Sequence, residues 1–175
     1  MKIMIFGYSG SGKSTLAEYI AAEYSLPILY IDKTLYNDNW ERKTKEESFN
    51  ETAVFLKKNN NWIIDGNGTN RCLFKERAEL ADKIIFMNFS RLACYKAAKN
   101  RYKEYKNKDR TSRPSNCPEK FDLSFRWWIL FGGRTRKRKA KFEEILKSHP
   151  EKIILIKNKK DVDYFKNNMD TLLLR

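Results

Sequence analysis

Apolar residues gather in five short runs along this chain: Lys2–Phe6, Ile28–Ile31, Trp62–Ile64, Lys83–Phe89 and Lys152–Lys157. Each run is too short for a helix and lacks the alternation of a half-exposed strand, so each reads as a strand buried on both faces. Between the runs the spacing turns helical. Ser14 to Tyr24 puts Ala17, Ile20, Ala21 and Tyr24 on one face, and Glu41 to Lys58 does the same for Phe49, Ala53 and Leu56 before Asn59-Asn60-Asn61 breaks it. A short helix is predicted over Asn70 to Leu80, and a longer one over Arg91 to Lys106 with Tyr95, Ala98, Tyr102 and Tyr105 aligned. Asn107 to Phe121, with Pro114 and Pro118, is the least regular stretch. Helix resumes around Phe125, Trp127, Trp128 and Phe131, is interrupted by Gly132-Gly133, and continues over Thr135 to Lys147. The last helix, Asp161 to Leu173, turns Val162, Phe165, Met169 and Leu172 inward.

Strands alternating with helices predict an α/β protein, a three-layer α/β/α sandwich with a five-stranded parallel sheet and right-handed crossovers. A chain of 175 residues suits a single domain, 1–175, with a helical region at 91–148 inside it. In such sheets ligands gather at the carboxyl ends of the strands. Three of those ends are polar: the segment from Gly7, Asp32-Lys33, and Asp65-Gly66-Asn67.

No apolar run approaches the roughly 20 residues of a membrane span, so no membrane partner is expected. The chain opens on a strand rather than a signal peptide. Cys72, Cys94 and Cys117 are odd in number and widely spaced, with neither a C-x-x-C pair nor a zinc pattern. Free thiols in a reducing cytoplasm are the expectation. His149, beside Pro150, reads as a helix-end residue. The net charge of +14 is concentrated: 91–148 holds 18 Lys/Arg against 6 Asp/Glu, leaving little excess elsewhere.

The first strand runs into Gly7-Tyr8-Ser9-Gly10-Ser11-Gly12-Lys13-Ser14-Thr15, which fits G-x-x-x-x-G-K-[ST] between strand and helix. Glycines let backbone N–H groups turn inward around a phosphate chain, and the following helix N-terminus favours an anion. Lys13 is placed to reach the β- and γ-phosphates and Ser14 to ligate Mg²⁺. ATP with Mg²⁺ is therefore the expected cofactor pair, with GTP not excluded. Asp65, at the end of Trp62-Ile63-Ile64, has the form of the acid that holds Mg²⁺ near the phosphates, or else of an Asp-Gly turn. Asp32 competes for that role, orients an acceptor group, or caps a helical turn.

These residues, Gly7 to Thr15, Asp32-Lys33 and Asp65-Gly66-Asn67 followed by Arg71, resemble the core of the nucleoside monophosphate kinase superfamily, whose best-known members are the adenylate kinases. The chain is more closely similar to the bacterial DNA topology modulation (FlaR-like) proteins, through Gly7–Thr15, Trp62–Asn67, Cys117-Pro118-Glu119-Lys120-Phe121 and Gly133-Arg134-Thr135-Arg136-Lys137-Arg138. The resemblance implies a P-loop kinase-like fold, an acceptor-binding segment around Asp32, Lys33, Trp40 and Arg71, and an arginine-bearing lid between the fourth and fifth strands. It also implies that the loop around Asn158 passes the adenine.

Phosphoryl transfer spreads charge over the γ-phosphoryl oxygens, and arginines stabilise it. Arg101, Arg110, Arg113, Arg134 and Arg136 are the candidates, with Arg101 and Arg134 the strongest because they flank the irregular stretch. A closing lid predicts that Asn107 to Phe121 orders on ligand binding, with Gly132-Gly133 as a hinge. Trp127 and Trp128 point about 100° apart on a helix, so at most one enters the core. The leading expectation is transfer of the γ-phosphoryl group of ATP to a small anionic acceptor, such as a nucleoside monophosphate or a short polyol acid. The alternatives are a nucleotide-dependent nucleic-acid-binding protein, since the basic segment is interleaved with aromatics, and a nucleotide switch.

Overall fold

The computed structural model describes residues 1–106, 108 and 110–174. Five strands, β1 (Lys2–Gly7), β2 (Ile28–Tyr30), β3 (Trp62–Asp65), β4 (Lys83–Met87) and β5 (Ile153–Ile156), form one parallel sheet in the order β2-β3-β1-β4-β5. The order reverses direction on either side of β1, so a crevice opens at the carboxyl end of β1, where the glycine-rich segment begins.

The helices are α1 (Lys13–Tyr24), α2 (Ile31–Leu35), α3 (Lys45–Lys58), α4 (Phe74–Leu80), α5 (Arg91–Tyr105), α6 (Leu123–Leu130), α7 (Arg136–Ser148), α8 (Lys159–Asn167) and α9 (Met169–Leu174). The lack of apolar–polar alternation in the strands has a direct cause. Met4, Phe6, Ile64, Ile84 and Phe86 pack with Phe74, Ile129 and Phe142 on one face. Ile3, Ile5, Ile63 and Ile85 pack with Leu16, Ile20, Phe165 and Met169 on the other. Every one of these isoleucines is fully buried, each contributing about 1.5–3 kcal/mol on leaving water.

Three expectations are corrected. Ile31 opens α2 instead of extending β2, so Asp32 and Lys33 lie in a helical turn just beyond the strand. In α3 the buried residues are Ser48 and Thr52, while Phe49 is exposed. Polar side chains are tolerated inside because each hydroxyl donates back along the helix, Ser48 to the Thr44 carbonyl at 2.9 Å and Thr52 to the Ser48 carbonyl at 2.8 Å. The last helical segment is two helices, parted at Asn168, with Leu173 rather than Leu172 fully inward.

The expected irregular stretch begins at Asn107, which lies outside the described residues, as does Asp109. From Arg110 to Phe121 no helix or strand forms, yet Ser112, Cys117, Glu119 and Phe121 are buried. Gly132 and Gly133 form a 3-10 turn with Arg134, and a Cβ at either would strike the Trp127 ring or the Trp128 carbonyl. Close packing on the tryptophans therefore requires the pair.

Candidate nucleotide and acceptor site

The glycine-rich segment wraps the start of α1. Gly10 has φ +83°, and a Cβ there would lie 2.5 Å from the Cys94 carbonyl oxygen, so only glycine lets the loop pass over α5. No side chain caps α1 and its first turn holds no acid, leaving N–H groups open for an anion. Lys13 Nζ donates to the Tyr8 carbonyl at 3.0 Å, folding the ammonium back across the loop. Burial pulls its pKa below the ordinary lysine range, against the raising fields of Asp65 and Asp32.

Ser14 Oγ donates to Asp65 Oδ2 at 2.6 Å. Asp65 is 5% exposed, and its other oxygen, Oδ1, is buried without a partner among the described residues. Desolvation pushes its pKa up to about 6, despite the lowering pull of Lys13 and the Ser14 hydroxyl. A buried carboxylate with an unused oxygen beside a serine hydroxyl is a donor set that suits a hard divalent cation, so the residues fit Mg²⁺. The residues of the segment do not all face inward. Ser11 is buried with its Oγ unpartnered among the described residues, Ser9 accepts from Trp128 Nε1 at 3.2 Å, and Thr15 is exposed.

Two residues outside the candidate site residues brace this loop, Asn67 from the polar end of β3 and Arg77 from α4. The Asn67 side chain makes a reciprocal pair with Gly7, accepting from its N–H at 3.0 Å and donating to its carbonyl at 2.9 Å. Arg77, fully buried, donates to the Gly66 carbonyl at 3.2 Å and to the Asn67 carbonyl. Burial pulls its pKa down to about 10. The chain of contacts runs from α4 through the β3 end to the first glycine, and it fixes Asp65 relative to the loop. An Asp-Gly-Asn turn near a helical arginine was the available signal, but nothing in the spacing aims Arg77 inward.

The arginines divide into two groups. Arg134 reaches the loop: Nη2 donates to the Phe89 carbonyl at 2.7 Å, and the guanidinium lies 3.6 Å from the centre of the Tyr8 ring. Arg101, Arg110 and Arg113 converge on one carboxylate, Glu119, whose side chain is 1% exposed. Arg101 binds Oε1 through Nε at 2.8 Å and Nη2 at 2.7 Å, and Arg113 Nη2 donates to the same oxygen at 2.9 Å. Arg113 Nη1 lies 2.9 Å from Oε2 without hydrogen-bond alignment, and Arg110 Nη1 is 3.5 Å from that oxygen. Three cations on one anion leave an excess of positive charge. The cluster's field reaches the loop: after burial, Arg101 is among the charges that lower the Lys13 pKa, and Asp32 opposes the lowering that burial causes at Arg113. Arg136 is apart from both groups, exposed in the first turn of α7.

The remaining candidates are dispersed. Asp32 is exposed at the start of α2, with its charge felt at Lys13 and Asp65. Lys33 lies on the wall of an open cleft of about 600 Å³ between the segment after β2 and the Arg113–Ser115 stretch. Trp40 is not on that wall. Its indole donates to the Pro118 carbonyl at 3.3 Å, its ring meets Arg113 and Lys120 at 5.1 and 4.9 Å, and its N–H donates to Cys117 Sγ at 3.2 Å. Arg71 Nη1 donates to the Lys43 carbonyl at 2.9 Å, tying two loops together. Asn158 is the exposed N-cap of α8, its Oδ1 accepting from the Asp161 N–H at 3.1 Å. Trp127 is solvent-facing, while Trp128 packs on the loop under Arg138, 4.2 Å away; Ile129 is the residue of this turn that enters the core.

Shikimate kinase from Bacteroides thetaiotaomicron superposes on the whole chain with a TM-score of 0.53, covering 100% of this chain and 99% of that one at 14% identity. The fold is that of the P-loop kinases. A gluconokinase from Sinorhizobium meliloti 1021 aligns with a TM-score of 0.50 at 15% identity, over 89% of this chain and 81% of that one. No family model matches the sequence, and no curated protein does. No helix among the described residues is long and apolar enough to cross a membrane.

Proposed function

We propose that this protein is a phosphotransferase that moves the γ-phosphoryl group of ATP to a small anionic acceptor. The observation that carries the reading is the joining of Lys13, Ser14 and the half-partnered Asp65 at the uncapped start of α1. The open N–H groups of α1 and the Lys13 ammonium hold the phosphate chain. Ser14 and Asp65 would hold Mg²⁺, which would supply positive charge to offset the negative charge of the phosphate chain. Arg134, against Tyr8, and Arg101, at the edge of the Glu119 cluster, supply the guanidinium charge that offsets the phosphoryl oxygens in transfer. The closing of the 110–121 stretch over the loop excludes water, so that the acceptor rather than water is phosphorylated. The free, buried thiols Cys72, Cys94 and Cys117 support a cytoplasmic location.

The test is ADP release with Mg²⁺-ATP, alone and with a panel of acceptors, on the native chain and on Lys13→Ala. Acceptor-stimulated release that falls by about 10³-fold or more in the variant, with its melting profile intact, is the expected result. Equal release from both proteins would remove the proposal.

A further inference from the structure

The cleft between α2 and the Arg113–Ser115 stretch has a chemistry that a nucleotide does not match. The walls carry Lys33, Asn37, Asp38, Glu41 and Arg113, with Tyr36 the one aromatic ring among the described residues. That ring is already turned edge-on to Trp40, at 5.4 Å and 78°. A nucleobase needs apolar or aromatic faces to leave water favourably, and Trp40, the obvious second face, is committed to Pro118, Arg113 and Lys120. The volume of about 600 Å³ admits either a nucleotide or a smaller acceptor, so size does not decide the matter. Charge does. Asp38 and Glu41 share the wall with Lys33 and Arg113, and Lys43, also on the wall, is paired with Glu51 at 2.6 Å. A phosphate dianion placed here would face two carboxylates as well as the cations. A single carboxylate flanked by hydroxyls meets this wall differently: its charge goes to Lys33 and to the excess positive charge of Arg113, which shares Glu119 with two other guanidiniums, and its hydroxyls donate to Asp38, Glu41 and the Asn37 amide oxygen.

The backbone of this wall is also set in an uncommon form. Asn39 and Trp40 have successive positive φ values, +58° and +63°, in the region that bulky side chains avoid. Such strain persists where the surroundings over-determine it, and it concentrates at ligand-binding segments. Here the Trp40 N–H is held by Cys117 Sγ and its indole by the Pro118 carbonyl, and the ring is not part of the cleft wall.

We propose, building on the phosphotransferase reading, that the acceptor is a polyhydroxylated monocarboxylic acid of sugar-acid type, and not a nucleoside monophosphate. One acceptor hydroxyl oxygen forms the new bond to the γ-phosphorus as the bond from that phosphorus to the β–γ bridging oxygen of ATP breaks. ADP leaves with that oxygen, and the hydroxyl proton passes to the Asp32 carboxylate.

The experiment measures ADP release by the full chain with Mg²⁺-ATP and three acceptor sets: sugar acids of five to seven carbons, the matching neutral polyols, and nucleoside monophosphates. ATP affinity is measured separately by calorimetry. At least one sugar acid is expected to stimulate release about 10-fold more than its neutral counterpart and than any nucleoside monophosphate. Lys33→Met and Asp38→Asn, both at exposed positions, should each raise the KM for that acid about 10-fold while the ATP dissociation constant stays put. Stronger stimulation by a nucleoside monophosphate overturns the acceptor assignment and leaves the kinase reading standing. ATP binding without stimulation by any set overturns the kinase reading, and the acceptor assignment with it. An unchanged acid KM in both variants shows that the acid binds elsewhere.

Discussion

The phosphate loop and the arginine cluster are both cationic, yet they are built by opposite means. The loop draws its positive potential from a short run of consecutive residues, the backbone N–H groups at the uncapped start of α1 and one lysine. It carries no carboxylate counterion within that run, and needs none, because the dipoles are partial charges fixed by main-chain geometry. The cluster gathers full charges from α5 and from a stretch with no regular structure, and it holds together because Glu119 is buried among them. The difference teaches what each can do. A loop of dipoles is ready for an anion at all times. Three guanidiniums cannot stay together without an anion, so the cluster is an assembly whose geometry depends on one carboxylate.

The sharpest way to break that contrast is to remove the carboxylate. Glu119→Ala leaves three guanidiniums facing one another in a largely buried place. Loss of one partner from a buried ion pair costs about 3–5 kcal/mol, and urea unfolding should show a loss of that order. Glu119→Gln keeps the shape and loses the charge, so it should cost less. Added sulfate or phosphate at millimolar concentration should restore part of the midpoint in Glu119→Ala and leave the native protein nearly unmoved. A variant as stable as the native chain would show that the guanidiniums are held by packing, and the contrast with the loop would vanish.

A second contrast lies inside the candidate nucleotide site, between Asp65 and an ordinary aspartate. Its pKa rises from 3.8 to about 6 on folding because its charged form is desolvated. Between those values the folded chain binds more protons than the unfolded one, so this group lowers stability as pH rises from about 4 to 6, and the cost is fully present above 6. Asp65→Asn should therefore stabilise the ligand-free protein at pH 7.5, by on the order of 1–3 kcal/mol, while making little difference near pH 4. The same substitution should weaken Mg²⁺-ATP, and in the native chain Mg²⁺ affinity should fall as pH drops through about 6, where a proton competes for the carboxylate. Denaturation at the two pH values and a Mg²⁺ titration at pH 5 and 7.5 read both effects. Equal stability of variant and native protein at pH 7.5 would show that Asp65 is not a strained, waiting ligand.

The two regions were also unequally legible. The loop is a contiguous motif, and the strands that carry it are apolar because both sheet faces are covered, so local sequence states both. The sheet and the loop could thus be read along the chain. Asp65 could be read because it follows a strand. Glu119 could not, because a glutamate in an irregular stretch looks solvated until tertiary contacts bring Arg101 across from α5. The available clue was that it is the one acid between Arg110 and Phe121. Arg77 was hidden for the converse reason: a helical arginine normally faces water, and only the carbonyls of Gly66 and Asn67 make its burial tolerable. In α3 the apolar spacing misled, since Ser48 and Thr52 satisfy themselves on the helix and let the polar face turn inward.

The smallest effect tests where the candidate nucleotide site ends. Asn158 caps α8 through its side-chain oxygen, and it stands just beyond β5 at the same carboxyl end of the sheet as the loop. If it acts only as a cap, Asn158→Ala costs about 1 kcal/mol and Asn158→Ser almost nothing, with ATP and GTP affinities unchanged in both. If the segment also passes the base, Asn158→Ser keeps the cap but alters the preference for ATP over GTP. The serine variant separates the two roles, because it holds the helix start constant while removing the amide. A cap-only result would confine nucleotide recognition to the phosphates and narrow the locally built half of the site to Gly7–Thr15 and Asp65.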